Sequence, residues 1–371
     1  MSIEIHKTFP MSKWDLMDDF LKRNYREDLA LRHRSHFEWQ FMTGAHGGEA
    51  CVLSAWDNER LVGILGYIPV DVFWGDVADP IRGAWCANWF VENEYQHGLG
   101  VGLMRELQEM FDVVLSVGAS SQGSPVLKQM GWTCSPRLPR YIAVLDFERA
   151  KRMLNPSASE KELNSISIKP AVHDSCISSF RIEDYDPDWS LYPAMAFGTV
   201  RSPRYLEWRY ANHQIFDYII EFRGHAHRPA ACVYRIEDAF GKHQARVGRI
   251  VDFFHPNDLQ GEKDGLALIH SVLQQMSAEE CVYADFICSS RIYGQTLMQA
   301  GWQTEEEGKQ FLPVRLTPVE QKTRHQSLEF FTTDGLPRPD MKNMYLTKSD
   351  GDEDRPSRLP HLLHDRGEPS I

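Results

Sequence analysis

The strongest constraint on this chain is that it repeats itself. Phe37-Glu38-Trp39-Gln40-Phe41 and Leu206-Glu207-Trp208-Arg209-Tyr210 share one pattern of apolar, Glu, Trp, polar and aromatic residues, with Trp208 following Trp39 by 169 residues (208 − 39). Met130-Gly131-Trp132 returns as Ala300-Gly301-Trp302 at a spacing of 170 (302 − 132). Two short matches at nearly one spacing imply two copies of one fold in tandem, and 371 residues suit two cores of about 100–200 residues each. The matched positions also favour a structural role for Trp39 and Trp208, each covering the sheet of its own half, over a ligand-stacking pair.

Each copy shows the same order of elements. In the first, residues 49–56 alternate like a half-buried strand, Asp57-Asn58 turns the chain, and residues 61–70 return as the hairpin partner. Residues 84–91 are an apolar run too short for a helix. A glycine cluster follows, then helical spacing over 101–110, a short buried strand over 113–117, and a helix that ends near Met130 with Gly131 as its C-cap. A strand over 141–145 closes the copy. The second copy repeats this with strands over 218–222, 231–236 and 247–254, a helix over 265–276, a strand over 282–287 and a helix ending at Gly301. The expected fold is α/β, with two tandem domains that each hold a mixed antiparallel and parallel sheet flanked by helices. The polar stretch 151–165 is the expected linker, giving domains at 1–150 and 166–316 and a polar extension at 317–371.

Charge and cysteine content exclude several roles. With 40 basic and 52 acidic residues, the formal net charge of −12 argues against nucleic acid or an anionic membrane as a main partner. Seven scattered cysteines lack the close pairs of a zinc site and read as reduced thiols in a cytoplasmic protein; no metal is expected. No window approaches the ~20 apolar residues of a membrane span.

The most informative residues run from Phe90 to Met104, where a strand leads into Gly98-Leu99-Gly100-Val101-Gly102 and a helix. Glycine lets a ligand approach the backbone, and the free N–H groups of a first helical turn, backed by the helix dipole, suit a pyrophosphate. A Gly-x-Gly-x-Gly turn that merely lets a helix pack close to its sheet is the competing reading. A dinucleotide-binding turn fits poorly, because these glycines follow a hairpin and a later strand instead of a first strand.

Here the sequence resembles the GNAT superfamily of N-acetyltransferases, whose phosphate loop reads Gln/Arg-x-x-Gly-x-Gly/Ala at the start of a helix after the fourth strand. His97-Gly98-Leu99-Gly100-Val101-Gly102 matches with His in place of Gln/Arg; read from Gln96, the pattern is one residue short. Ser124 to Trp132 resembles the family's late helix with its Gly-aromatic ending. The resemblance spans about residues 10–145 and 166–316, with the loop motif in the first copy only. It implies an acyl-CoA-dependent acyltransferase, an N-acetyltransferase acting from acetyl-CoA, with Phe90, Val91, His97, Gly98, Leu99, Gly100, Val101, Gly102 and Leu103 at the coenzyme. It also implies direct attack by an amine, with a carboxylate on or near the fourth strand as base: Glu92 or Glu94, with Asn88 as the polar group inside the strand. A solvated turn is the competing reading for both glutamates. The family's general acid is often a Tyr where this chain has Leu127, which cannot donate a proton. The loop of the second copy, residues 255–264, is acidic and would repel a pyrophosphate.

The run Ser349-Asp350-Gly351-Asp352-Glu353-Asp354 has the alternation of a calcium loop, but Arg355 and His361 stand where that loop needs Gly and Glu. A solvated acidic tail is the simpler expectation. The stretch also resembles a tail on GNAT-like proteins of bacterial surface polysaccharide synthesis, which suggests an amino sugar or nucleotide sugar as acceptor. Two other classes remain open. One is a non-catalytic binding or scaffold protein; the other is a tandem aminoacyl transferase that uses charged tRNA, against which the net charge counts.

Overall fold

The computed structural model describes residues 3–355 apart from 26–27, 43–47, 76, 78, 136, 157, 169–179, 241–243, 306–309, 318, 321–325, 337–338 and 340–342. The tail beyond 355, with His361, lies outside the described residues. The chain forms two compact units. Unit 1 gathers the described residues up to Ser135 together with 326–336 and 350–355, and unit 2 gathers those from Arg137 to Glu320 together with 339 and 343–349.

In chain order, unit 1 has β1 (Ile3–His6), α1 (Trp14–Asn24), α2 (Arg34–Phe41), β2 (Val52–Asp57), β3 (Arg60–Trp74), β4 (Ile81–Val91), α3 (Leu99–Met110), β5 (Val113–Val117) and α4 (Gly123–Gln129). Unit 2 has β6 (Arg140–Val144), β7 (Ile219–His225), β8 (Arg228–Ala239), β9 (Ala245–Phe254), α5 (Leu259–Ala278), β10 (Cys281–Ile287) and α6 (Arg291–Gln299), after which β11 (Leu328–Thr332) returns to unit 1. The sheets run β1-β2-β3-β4-β5-β11 and β7-β8-β9-β10-β6, each extended by a two-residue strand, Thr133–Cys134 or Gln303–Thr304. Each sheet opens antiparallel and holds one parallel pair, β4 with β5 and β9 with β10. In unit 1, Leu53, Ala55, Val62 and Leu65 of the hairpin pack with Leu103, Met104 and Leu107 of α3, and with Leu127 and Trp132 beyond them.

The duplicated Gly-Trp pair has a physical cause. Gly131 and Gly301 adopt φ +87° and +93°, so glycine is the residue these helix ends require. Trp132 N–H then bonds back to Leu127 O at 3.1 Å and Trp302 N–H to Leu297 O at 3.1 Å, closing the same Schellman turn in both units with the indole buried. In the other duplicated motif the core residues are Phe37 and Phe41, and Leu206 and Tyr210; the two tryptophans between them are half-buried. Phe41 packs on β3 where Gly66 leaves room, since a Cβ there would lie 2.5 Å from its ring.

Four expectations need correction. The strand over 141–145 does not close the first sheet: as β6 it pairs antiparallel with β10, from Tyr283↔Val144 to Ile287↔Arg140. The cause is Arg140, a fully buried guanidinium whose partners all lie in unit 2: Asp285 at 2.9 and 2.7 Å, Glu305 at 3.0 Å, and the carbonyls of Leu312 and Pro313. β11 takes the place beside β5 (Leu328↔Val117 to Thr332↔Val113), so part of the polar extension is a strand of the first sheet. The stretch 151–165 carries the end of a short helix, Phe147–Lys151, and a second one, Glu160–Ser165, which opens on a Ser159/Glu162 capping box and buries Leu163. Finally, the acidic tail is not solvated: Asp350 is 0 % and Asp354 1 % exposed. The six described cysteines form no disulfide. Among the described residues no helix is long and apolar enough to cross a membrane.

Candidate active site in unit 1

β4 is held on both sides only at its start. It pairs with β5 over Gly83↔Val113, Ala84↔Val114 and Trp85↔Leu115, whereas its antiparallel ladder with β3 continues to Val91. From Cys86 onward, therefore, one edge of β4 has no neighbouring strand among the described residues. Within that stretch the ladder with β3 slips: Gly66 faces Ala87 and Ile64 faces Phe90, so Asn88 and Trp89 together oppose Leu65. This is a β-bulge, and Asn88 supports it with φ +54°, a left-handed conformation that Asn tolerates better than most residues. Its side chain is also partnered. Oδ1 accepts from Arg355 Nη1 at 3.2 Å and, at 3.5 Å, from Gln40 Nε2.

After β4 the chain makes a single turn of 3₁₀ helix over Asn93–Tyr95 and enters α3 at Gly98. Gly98 sits at φ +91° with open space where a Cβ would be. It provides no side-chain cap, and its carbonyl accepts the N–H of Gly102 at 2.9 Å. The N–H groups of Leu99, Gly100 and Val101 therefore have no acceptor among the described residues, and the dipole's positive end lies behind them. The three glycines are not equivalent. A Cβ at Gly100 would lie 3.3 Å from Trp89 Nε1, and one at Gly102 would make an ordinary 3.6 Å contact with Ile5. At Gly100 the packing reading of the glycine cluster holds, while Gly98 leaves the turn open.

The other expected residues separate into groups. His97 is exposed, Leu99 and Val101 are half-buried, and Leu103 belongs to the core at 0 % exposure, which removes its side chain from any ligand. Val91 packs against Gly63. Phe90 meets Phe20 and Tyr25, with ring centroids 6.1 and 5.2 Å away, on the α1 face of the sheet. Glu92 is poorly suited to act as a base. It is 6 % exposed, one oxygen contacts Arg60 at 2.6 Å, and the other contacts Arg23 and, at 3.3 Å, Asn24. Glu94 is exposed, 3.9 Å from Arg60. Leu127 is core, and Tyr95 gives its hydroxyl proton to Asp57.

Sequence reasoning missed the groups that come to this strand from elsewhere. Gly351 lies against Trp85, a Cβ there coming within 3.2 Å of the indole, and Glu353 abuts Gly118 at the end of β5. Asp352 pairs with Arg355 at 3.0 Å, and Arg355 reaches Asn88. Tyr25 Oη lies beside Asn88, Arg355 and Asp352 and makes no hydrogen bond of ordinary geometry among the described residues; burial pushes this phenol up to about 12, with Arg355 and Asn88 pulling the other way. Burial likewise pushes the Cys86 thiol up to about 12, with Ser116 pulling the other way and Asp352 and Glu329 adding to the rise. Glu329 of β11 is fully buried and its carboxyl is raised by that burial, restrained by hydrogen bonds from Ser327 (2.6 Å) and Ser124 (3.3 Å). The available signal was the alternation of Asp350, Asp352 and Asp354 directly after the apolar run Met344-Tyr345-Leu346.

Unit 2 uses the same architecture differently. The Asp258 carboxylate caps α5, taking the N–H groups of Gln260 (3.0 Å) and Gly261 (2.8 Å) and pairing with Arg228 at 2.8 Å. Beyond the parallel pairs of β9 and β10, which end at Arg249↔Asp285, residues 345–349 bond to both strands. Tyr345 Oη accepts from Phe253 N–H at 2.9 Å, Ser349 Oγ donates to Val251 O at 2.9 Å, and Lys348 N–H bonds to Ile287 O at 3.3 Å. A polypeptide strap thus fills the gap between these two strands.

No family model matches the sequence. No curated protein matches it either. Solved structures do. A crystal structure of Saccharomyces cerevisiae N-myristoyltransferase with bound myristoyl-CoA superposes with TM-score 0.52 at 11 % identity, over 93 % of this chain and 88 % of that one. A second, with myristoyl-CoA and inhibitors, gives TM-score 0.51 at 11 % identity over 93 % and 85 %. An Enterococcus faecalis V583 protein of unknown function, described as a probable N-acyltransferase, gives TM-score 0.50 at 12 % identity over 88 % and 72 %. With mixed sheets that each hold a parallel pair, flanked by helices, this chain shares the α/β fold of these solved structures.

Proposed function

We propose that the chain is an acyl-CoA-dependent N-acyltransferase whose coenzyme site is in unit 1, with acetyl-CoA as donor and an amine, in the first instance an amino sugar, as acceptor. The observation that carries this reading is the set of three unpartnered N–H groups at the open Gly98 turn, directly after a strand that is bulged and unpaired on one edge. Those amides suit a diphosphate, and the free edge of β4 offers backbone groups to the pantetheine arm and the thioester. The Trp89 indole, which a Cβ added at Gly100 or at Gly123 would meet at 3.3 or 3.9 Å, favours a short acyl chain by limiting the space beside the bulge. The carboxylates of the tail favour an acceptor that arrives as a cation. Reduced cysteines fit the cytoplasm.

Attack by the amine forms the C–N bond of the amide and breaks the C–S bond of the thioester, so neither Ser nor Cys needs to become acylated. The raised Cys86 thiol is accordingly a poor nucleophile. A second reading, a binding protein without catalysis, is favoured by Leu127 and by the engagement of Glu92. Calorimetry with acetyl-CoA, followed by mass analysis of glucosamine incubated with protein and acetyl-CoA, tests the proposal. One site per chain and a mass gain of one acetyl group are expected. Binding without transfer to any of a panel of amino sugars supports the second reading, and absence of binding refutes both.

A further inference from the structure

Amine attack on a thioester needs an unprotonated nitrogen, and the carboxylates expected near β4 are badly placed to provide one. Glu92 is held by two arginines and Asn24, Glu94 points into solvent beside Arg60, and Glu329 is fully buried beneath Ser124 and Ser327. The tail has the carboxylate that fits. Residues 351–355 reach from Gly118, at the end of β5, to Asn88 in the bulge, and so lie alongside the edge of β4 that β5 leaves unpaired. Asp352 is 11 % exposed, shielded but with a route to water, and its ion pair with Arg355 is made by the group that also holds Asn88. The Tyr25 hydroxyl, buried next to Asn88 and making no hydrogen bond of ordinary distance and angle among the described residues, gives an independent sign that a ligand atom completes the cluster.

We propose that Asp352 is the catalytic base of unit 1, an assignment that rests on the acyl-CoA reading of that unit. Asp352 takes one proton from the acceptor's ammonium group and later releases it to water. The freed lone pair attacks the carbonyl carbon, and the C–S bond breaks. The thiolate receives a second proton, derived from the nitrogen, and the third stays on the amide. Arg355 positions Asp352 against the bulge.

The test compares two small amines as acceptors from acetyl-CoA, read by release of free coenzyme A thiol. 2-Aminoethanol is an ammonium ion at neutral pH, as an alkylamine is, whereas hydroxylamine is not. Asp352→Asn is expected to lose about 100-fold or more in kcat with 2-aminoethanol, the low end of what a general base contributes. It should stay within about threefold of the parent with hydroxylamine and in acetyl-CoA Kd, and Glu353→Gln should behave as the parent throughout. The assignment is overturned if Asp352→Asn is fully active with 2-aminoethanol, if both amines suffer equally, or if Glu353→Gln carries the loss. Failure of the parent protein to bind acetyl-CoA would instead end the reading of the site, and the assignment with it.

Discussion

Replacing Gly100 with glutamate tests the amide site most directly. The first-turn N–H groups of Leu99, Gly100 and Val101 face no acceptor among the described residues, and the space beside Gly100 is bounded by the Trp89 indole 3.3 Å from the Cβ position. A carboxylate added there would sit about 5 Å from a diphosphate bound at those amides. At an effective dielectric of about 20, two unit charges at that distance repel by about 3 kcal/mol, which salt screening roughly halves at an exposed turn. A loss of about 1.5–3 kcal/mol raises Kd roughly 10- to 150-fold. Gly100→Ala separates charge from bulk: its methyl group is a tight fit against Trp89 but adds no charge, and alanine favours the helix by about 0.5–1 kcal/mol. Calorimetry with acetyl-CoA and with free coenzyme A, alongside thermal unfolding of each variant, provides the comparison. Gly100→Glu should lose affinity for both ligands while Gly100→Ala stays within about threefold. Undiminished binding by Gly100→Glu, or an equal loss in the two variants, would refute an anion site at this helix.

Two further outcomes concern stability. The Glu329 carboxyl is raised above its ordinary 4.5, chiefly by burial, so the folded protein holds this proton more tightly than the unfolded chain does; its contribution is present at low pH and is lost as pH rises through the folded value. Glu329→Gln should therefore gain stability relative to the parent between pH 4.5 and 7 in urea unfolding, and a constant difference would contradict this. Tyr345→Phe removes the hydroxyl that serves Asp252 and both backbone groups of Phe253, and should cost about 1–3 kcal/mol by the same method.

Much of the fold was legible because its signals are local. The Gly-Trp pairs mark helix ends whose geometry only glycine meets easily, and the strand, glycine turn and helix from Ile81 to Met110 can be read in 30 residues. Asn88 stood out as a polar residue in an apolar strand, and the bulge explains its presence. What could not be read depends on partners distant in sequence. Nothing near Arg140 announces that its carboxylates are Asp285 and Glu305, so in sequence its strand reads as part of the first sheet. Glu92 resembled an available carboxylate until Arg23 and Arg60 appeared beside it. The tail misled for a related reason: a run of aspartates reads as solvated unless its partners are known, and Asp350 and Asp354 are buried.

The exchange of outer strands bears on how the protein is made. β5 must leave its outer edge unpaired until β11 emerges from the ribosome, with Val117 and Leu328 separated by 211 residues (328 − 117). At typical synthesis rates of about 5–20 residues per second, that edge waits roughly 10–40 s. Throughout that interval the nascent chain presents a hydrophobic strand, Val113-Val114-Leu115-Ser116-Val117, that could pair with another copy. Cutting the gene near codon 150 would make the wait permanent, leaving one fragment without β11 and β6 stranded on it, away from its own sheet.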